Sequence, residues 1–330
     1  MVIFDDGDVH DRGNVGMPFF LITGSSGHLG SCLYYLLLKN GYRVVRLDIK
    51  PAPETVFVGS VRDRDMIDML FRHFNIKHVV HCAALHERHL ETHNEEDFVD
   101  TNVEGTAVIL DKAREYSGQI ESFTLISDVN VLGQALNRSA GSPALWIDEE
   151  VAPIPTNKYH RTKLGAEKLC HEFHQKTLIP AFILRAGRFH MDEDHVAEYA
   201  RLPVPIQDEN LKVMELAYCR CDIHDLAYAS MQAMRRCRLL KFGLFVISSR
   251  PPFDKGDDQS AAGVLNVLAA SPGLVLNSSV PGLRDVLNSK RWRHLPSINR
   301  VYSPKKAMRK LHWKSQYTFK HAIEKIKNAV

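Results

Sequence analysis

The sequence predicts an α/β fold, a doubly wound parallel sheet with a smaller mixed C-terminal region, on three observations. Short apolar runs alternate with longer segments of helical period, a glycine-rich turn links the first run to the first helical segment, and the alternation loosens beyond residue 187. The apolar runs fall at 19–23, 43–49, 78–83, 122–126 and 181–184, each short enough for a strand buried on both faces. Between them, 27–39, 63–74, 95–116 and 156–176 space apolar residues three or four apart, which predicts helices with one buried face. Asn40-Gly41 punctuates the first of these.

A chain of 330 residues exceeds the ~250 at which one core tends to divide. The expected organisation is an N-terminal extension at 1–16, flexible, a dinucleotide-binding core at 17–187, and a substrate-binding region at 188–330 that is interleaved with late core elements at about 218–250. Prolines 203, 205, 251, 252, 272 and 281 break the later region into modest helices near 222–236 and 318–329. The segment 251–262 reads as an exposed or flexible loop.

A formal net charge of +3 sets up no strong field toward nucleic acid or anionic lipid, so the expected partner is a small molecule, with no nucleic acid and no membrane. The basic residues between Lys290 and Lys310 read as a solvated face. No apolar run approaches the ~18 residues of a membrane-spanning helix. The first sixteen residues, with Asp5, Asp6, Asp8 and Asp11, lack a basic-then-apolar leader. Six cysteines without a framework spacing read as buried thiols, which points to a reducing, cytoplasmic setting.

Thr23-Gly24-Ser25-Ser26-Gly27-His28-Leu29-Gly30 follows a strand and opens a helix, the context in which such a loop binds a dinucleotide. Gly24 permits the tight turn, Gly27 admits a pyrophosphate close to the backbone, and Gly30 lets helix and strand approach. Asp48 ends the next apolar run about twenty residues on, where a carboxylate accepts the adenosine ribose hydroxyls and repels a 2′-phosphate. The expected cofactor is therefore NAD in preference to NADP, an inference that Arg46 and Lys50 soften.

Tyr159 and Lys163 stand four apart and share a helix face, where an ammonium favours the phenolate and lets it exchange a proton with a carbinol. The same spacing recurs at Tyr35/Lys39 and Tyr302/Lys306. Tyr35 lies in the helix of the glycine loop, too far along it for chemistry, and is expected to pack in the core. Pro304 interrupts the other pair.

These residues together resemble the extended short-chain dehydrogenase/reductase family, in particular its NAD-dependent epimerase/dehydratase group, over roughly residues 17 to 250. The likeness runs in order through the Gly24 loop, Asp48, His81-Cys82-Ala83-Ala84, Asn102-Val103-Glu104-Gly105-Thr106, the segment 125–133, Tyr159 with Lys163, and Leu184-Arg185. It implies a Rossmann-type fold, and a cofactor site that takes in Ser26, His28, Leu29, Ser60, Val61, His81, Ala83, Ala84 and Asn102. It also implies that Lys163 binds the nicotinamide ribose and that paired helices beside the catalytic one form a homodimer. The implied activity is an NAD(P)-dependent oxidoreductase or an epimerase/dehydratase, acting at a carbinol or ketone carbon, with a nucleotide sugar as candidate substrate.

Several positions depart from the family's pattern. Asp128 stands where the family carries Ser or Thr, and an ionised carboxylate there opposes a phenolate. Chemistry then needs Asp128 held protonated by burial, or Ser127 substituting across a local bulge, although strand alternation turns Ser127 to the other face. The alternative is a non-catalytic dinucleotide-binding regulator. Leu132 and Tyr218 replace a tyrosine and an arginine, and Arg188 an asparagine, leaving Arg188 or Arg220 to meet a diphosphate. Ser60 replaces an adenine-contacting aspartate. His86, His89 and His93 lie where a substrate loop is expected, with His86 as a substrate-contact candidate, and no metal is expected there or at His190–His195.

Overall fold

The structure is a computed structural model that describes residues 18–52, 55, 57–189, 206–254 and 261–328. The expectations for residues 1–16, for Pro203 and Pro205, for His190–His195 and for 255–260 lie outside the described residues.

Strand β1 (Phe19–Thr23) is buried along its whole length, as its unbroken apolar run requires. The glycine turn leads into α1 (His28–Lys39), which ends at Asn40 and at Gly41, whose φ of 80° is left-handed. Then follow β2 (Arg43–Asp48), β3 (Phe57–Val58), α2 (Arg64–His73) and β4 (Ile76–His81). Helix α2 starts where Asp63 accepts a bond from Met66 N at 2.9 Å. Strand β4 closes at His81, so Cys82 and Ala83 stand beyond its end.

The segment expected as one helix over 95–116 has three parts: α3 (Glu95–Phe98), a π-helical stretch Val99–Glu104, and α4 (Gly105–Glu115). Such π turns widen a helix where a side chain must reach elsewhere. Asn102 is the buried residue of that stretch.

Strand β5 (Ser122–Asp128) precedes β6 (Leu145–Ile147), the twenty-residue α5 (Lys158–Thr177), β7 (Ala181–Ala186), β8 (Phe242–Ile247) and β9 (Arg300–Tyr302). One sheet runs β3-β2-β1-β4-β5-β7-β8, and its β3–β2, β2–β1, β1–β4 and β4–β5 pairings are parallel. Strand order reverses between β1 and β4, the point at which such sheets bind ligands. A second, two-stranded parallel ladder joins β6 to β9.

The chain forms two compact units. The first contains residues up to Val131, Asn157–Leu184 and Ala227–Leu244; the second contains Leu132–Thr156, Arg185–Leu226 and the chain from Phe245 onward. The core of the first gathers Leu21, Val45, Leu47, Ile67, Phe71, Val79, Ile109, Phe123 and Phe173. Tyr35 does not join it: the side chain is 55% exposed, so the expected core role is corrected to a surface one. The reason is its helical phase, since Leu33, Tyr34 and Leu37 hold the buried face of α1.

Two histidines are built into this sheet. His78 Nδ1 lies 2.8 Å from Ser122 Oγ, and His81 bridges Thr23 Oγ1 at 2.6 Å and Thr106 Oγ1 at 3.1 Å. Burial pushes His78 down to about 4 and His81 to about 3, so both rings stay neutral where the unfolded chain protonates at 6.5. The stability they confer is complete above about pH 6.5 and is lost as pH falls toward those values, at about 1.4 kcal/mol per pH unit for each ring. Urea unfolding followed from neutral to mildly acid pH should show this slope, and His81→Gln should flatten it. An unchanged slope in that variant removes His81 from the account.

Candidate active site

At the end of β1, Gly24 adopts φ 68°, and a Cβ there would lie 2.7 Å from Ala83 N. A Cβ on Gly30 would lie 2.3 Å from the Gly24 carbonyl, so the turn and the first turn of α1 tolerate no side chain at either place. Gly27 is the N-cap of α1 and offers no side-chain acceptor to its amides, those of His28 and Leu29 included. Asp48 is fixed beside this turn: Oδ2 accepts from Ser26 N at 2.9 Å and Oδ1 from Lys50 N at 2.9 Å. The Ser26 hydroxyl donates to the Lys50 carbonyl at 3.0 Å. Arg46 is buried, its guanidinium 4.2 Å from the centre of the Tyr34 ring.

Around the turn, Ala83 N donates to Thr23 Oγ1 at 3.3 Å, and His81 supports the strand end through the two threonines named above. Ser60 Oγ accepts from Arg62 N, and Val61 is buried where a Cβ on Gly105 would meet it at 2.5 Å. Ala84 follows in the loop. Asn102 clamps that loop, accepting from Leu85 N at 2.8 Å and donating to Leu85 O and to Thr162 Oγ1, each at 3.1 Å. One side chain thereby ties the loop after β4 to α5.

Asn157 caps α5 by accepting from His160 N at 2.8 Å, which sets the phase of the helix so that Tyr159, Lys163 and Glu167 face inward at four-residue spacing. Each meets the end of β5. Tyr159 Oη donates to Asp128 Oδ2 at 2.9 Å, Lys163 Nζ donates to Ile126 O at 2.7 Å, and Ser127 Oγ donates to Glu167 Oε1 at 2.6 Å. The Phe98 ring stands edge-on to Tyr159, with centroids 6.5 Å apart. Lys163 is buried, and among the described residues its ammonium, with three donors, has one hydrogen-bond acceptor, Ile126 O.

Electrostatics here follow from burial. Burial raises the Tyr159 phenol well above its ordinary value, and the Asp128 charge and bond push it the same way. Burial also raises Asp128, against the bonds from Asn130 N and Tyr159 that favour its ionised form. Lys163 is lowered by burial, against the pull of Asp128 and Glu167. The structure thus brings Asp128 to the Tyr159 hydroxyl. Ser127, on the opposite strand face with its hydroxyl committed to Glu167, is not brought there. Sequence reading missed Glu167, although its spacing of four from Lys163 was the available signal.

His86 N donates to His89 Nδ1 at 2.8 Å, and the rings of His86, His89 and His93 follow one another at 5.9 and 5.2 Å in the loop after β4. In the second unit, Arg188 and Arg220 are neighbours across a parallel bridge. They share one carboxylate, Arg188 reaching Glu215 Oε1 at 2.6 Å and Arg220 reaching Oε2 at 2.8 Å. Glu215 is wholly buried, and no sequence pattern marked it. Among the described residues no group of three His, Cys, Asp or Glu side chains is arranged to hold a metal ion. No helix among them is long and apolar enough to cross a membrane.

Comparison with known proteins bears on the same segments. The chain is 27% identical over 201 residues to a UDP-glucose 4-epimerase of Halalkalibacterium halodurans, an alignment that covers 57% of this chain and 58% of that protein. It is 27% identical over 226 residues to the trifunctional UDP-glucose 4,6-dehydratase/UDP-4-keto-6-deoxy-D-glucose 3,5-epimerase/UDP-4-keto-L-rhamnose-reductase of Arabidopsis thaliana, covering 60% of this chain and 33% of that one. The chain therefore spans less than two thirds of the length of these relatives.

Among solved structures, a UDP-glucose 4-epimerase of Thermotoga maritima with UDP-glucose superposes with a TM-score of 0.60 at 17% identity, covering 94% of this chain and 99% of that one. A short-chain dehydrogenase/reductase superfamily protein of Agrobacterium tumefaciens with bound NAD gives 0.63 at 17% identity, covering 94% and 96%. At such identity the likeness is one of fold. The model of the NAD dependent epimerase/dehydratase family matches residues 20–190, from the glycine turn through both members of the Tyr159/Lys163 pair and just over half of the 330 residues. The chain belongs to that family.

Proposed function

We propose that this protein is an NAD-dependent enzyme that oxidises and re-reduces a carbinol carbon of a nucleotide sugar, as an epimerase or dehydratase. The observation that carries the reading is the buried Tyr159/Lys163 pair at the end of β5, where Lys163 has one hydrogen-bond acceptor among the described residues. The relatives are named as enzymes, which favours catalysis over a non-catalytic regulator.

The residues present fit a dinucleotide. Gly24, Ser26, Gly27, His28, Leu29 and Gly30 would hold the pyrophosphate on the backbone at the start of α1. Asp48, held by two amides, would take the adenosine ribose, and with the Arg46 guanidinium set over Tyr34 its charge favours NAD over NADP. Ser60 and Val61 would border the adenine, Ala83 and Ala84 the middle of the dinucleotide. Asn102 orients the loop that carries them, and Lys163 would bind the nicotinamide ribose. When bound, the cofactor supplies a reversible hydride acceptor. Tyr159 then exchanges the hydroxyl proton of the substrate, and its burial excludes water from that exchange.

His86, in the loop after β4, and the Arg188/Arg220 pair would contact the substrate. The proposed setting is cytoplasmic, supported by six free cysteines, and the proposed assembly is a homodimer. Calorimetric titration with NAD, then with UDP into the NAD-saturated protein, tests the reading. NAD should bind stoichiometrically and more tightly than NADP, and UDP should bind on top of it. Absence of NAD binding overturns the proposal; NAD binding without UDP binding restricts the substrate to a carbinol that carries no nucleotide.

A further inference from the structure

We infer that Asp128 is the far end of a proton relay, in which the carbinol proton passes to Tyr159 Oη while the phenolic proton of Tyr159 passes to Asp128 Oδ2. The inference rests on the activity proposed above. In the oxidation direction the carbinol C–H electron pair leaves as hydride to oxidised nicotinamide, and the carbinol O–H breaks as an O–H forms at Tyr159. The former Tyr159 O–H breaks as one forms at Asp128. Ketone, reduced nicotinamide, neutral tyrosine and neutral aspartic acid are the products, and the reduction retraces each transfer.

Geometry sets the direction of this relay. The Tyr159 hydrogen is already committed to Asp128 at 2.9 Å, so the phenol presents a lone pair, not a proton, to an incoming hydroxyl. Asp128 Oδ1 accepts from Asn130 N at 2.7 Å, which turns Oδ2 toward the phenol, and Asn130 is itself anchored to Glu87 Oε2 at 3.0 Å. Ser127 lies on the opposite strand face and donates its hydroxyl to Glu167 Oε1 at 2.6 Å, so it does not compete for the phenol.

The surrounding charges favour a carboxylate over a phenolate as the resting base. From α5, Lys163 and Glu167 face the pair; from the turn after β4, Glu87 does, with His160 3.8 Å from its other oxygen; beyond β4, Cys82 adjoins Lys163. Burial and the two acids Asp128 and Glu87 hold the phenol proton on, so a pathway through free phenolate is costly. Burial raises Asp128 from its ordinary value, which makes it a stronger base than an exposed aspartate. A neutral Tyr159 can therefore accept and release a proton in one event, without ever resting as an anion.

The test uses the NAD-loaded full chain with UDP-glucose as probe, comparing wild type, Asp128→Asn and Asp128→Ser, with matching thermal midpoints as the check on folding. In the oxidation direction wild-type kcat/KM should fall as pH drops through the raised Asp128 value, and mixtures of light and heavy water should give a curved dependence from two protons in motion. Asp128→Asn, which keeps the acceptor but cannot take a proton, should lose about 10²-fold or more. Asp128→Ser should recover activity over Asp128→Asn, with its acid limb moved to alkaline pH and a linear solvent dependence. In the cofactor-free protein, ultraviolet titration should place Tyr159 ionisation lower in Asp128→Asn than in wild type, a readout that needs no substrate. An unaltered Tyr159 titration, or an active wild type whose Asp128→Asn variant keeps both rate and pH profile, overturns the relay alone. A wild type that neither binds NAD nor turns over overturns the proposed function and the relay with it.

Discussion

Tyr159→Phe should lower turnover by about 10²- to 10⁴-fold, the span expected when a positioned acid/base is removed. The ring keeps its place, since Tyr159 is 2% exposed and sits edge-on to Phe98, so the loss should fall on kcat with little change in KM or in NAD affinity. What disappears is the oxygen proposed to meet the substrate hydroxyl, together with the donor to Asp128 Oδ2. Steady-state kinetics beside a calorimetric NAD titration separates these effects. Near-full kcat in this variant sinks the role given to Tyr159, whereas lost NAD binding shows that the substitution disturbed the cradle instead.

The largest loss of stability is expected from Glu215→Ala, at about 3–5 kcal/mol, because it removes the buried carboxylate that pairs with two guanidiniums and leaves a void in its place. Glu215 is wholly buried and gives one oxygen to each of Arg188 and Arg220. Arg300 lies close enough for its charge to be felt by Arg188's, so the carboxylate is outnumbered even in the wild type. Glu215→Gln keeps the shape but not the charge and should lose less. Urea midpoints of the three proteins measure the order. A Glu215→Ala protein as stable as wild type means that the arginines find water or another acceptor when the carboxylate is removed.

How much of this was legible in the sequence depended on whether the information was local. The glycine turn, Asp48 and Tyr159/Lys163 are marked by short spacings that chemistry imposes, and the decoy at Tyr302 failed where Pro304 predicted, with Tyr302 in β9 and Lys306 in a separate helix. Tyr35 was misread because a helix of mostly apolar residues gives little phase information. The β6–β9 ladder was invisible, since its three-residue strands lie more than 150 positions apart and carry no turn signal. Glu215 reads as a surface acid until Arg188 and Arg220 converge on it. Asp128 was identified as the departure that matters, but the direction of its hydrogen bond required the strand end and the helix together.

The two units are each assembled from three separate stretches of chain, and the first is completed only by Ala227–Leu244. During synthesis the ribosome must therefore deliver Arg185–Leu226, which belongs to the second unit, before β8 can close the sheet beside β7. Until then the emerging polypeptide carries an open edge at β7, a template for pairing with a neighbouring nascent chain. A gene fragment ending near residue 187 would freeze that stage, with the whole glycine turn and Tyr159 present and the sheet unfinished. Tyr159 and Lys163 thus precede β8, the strand that completes the sheet.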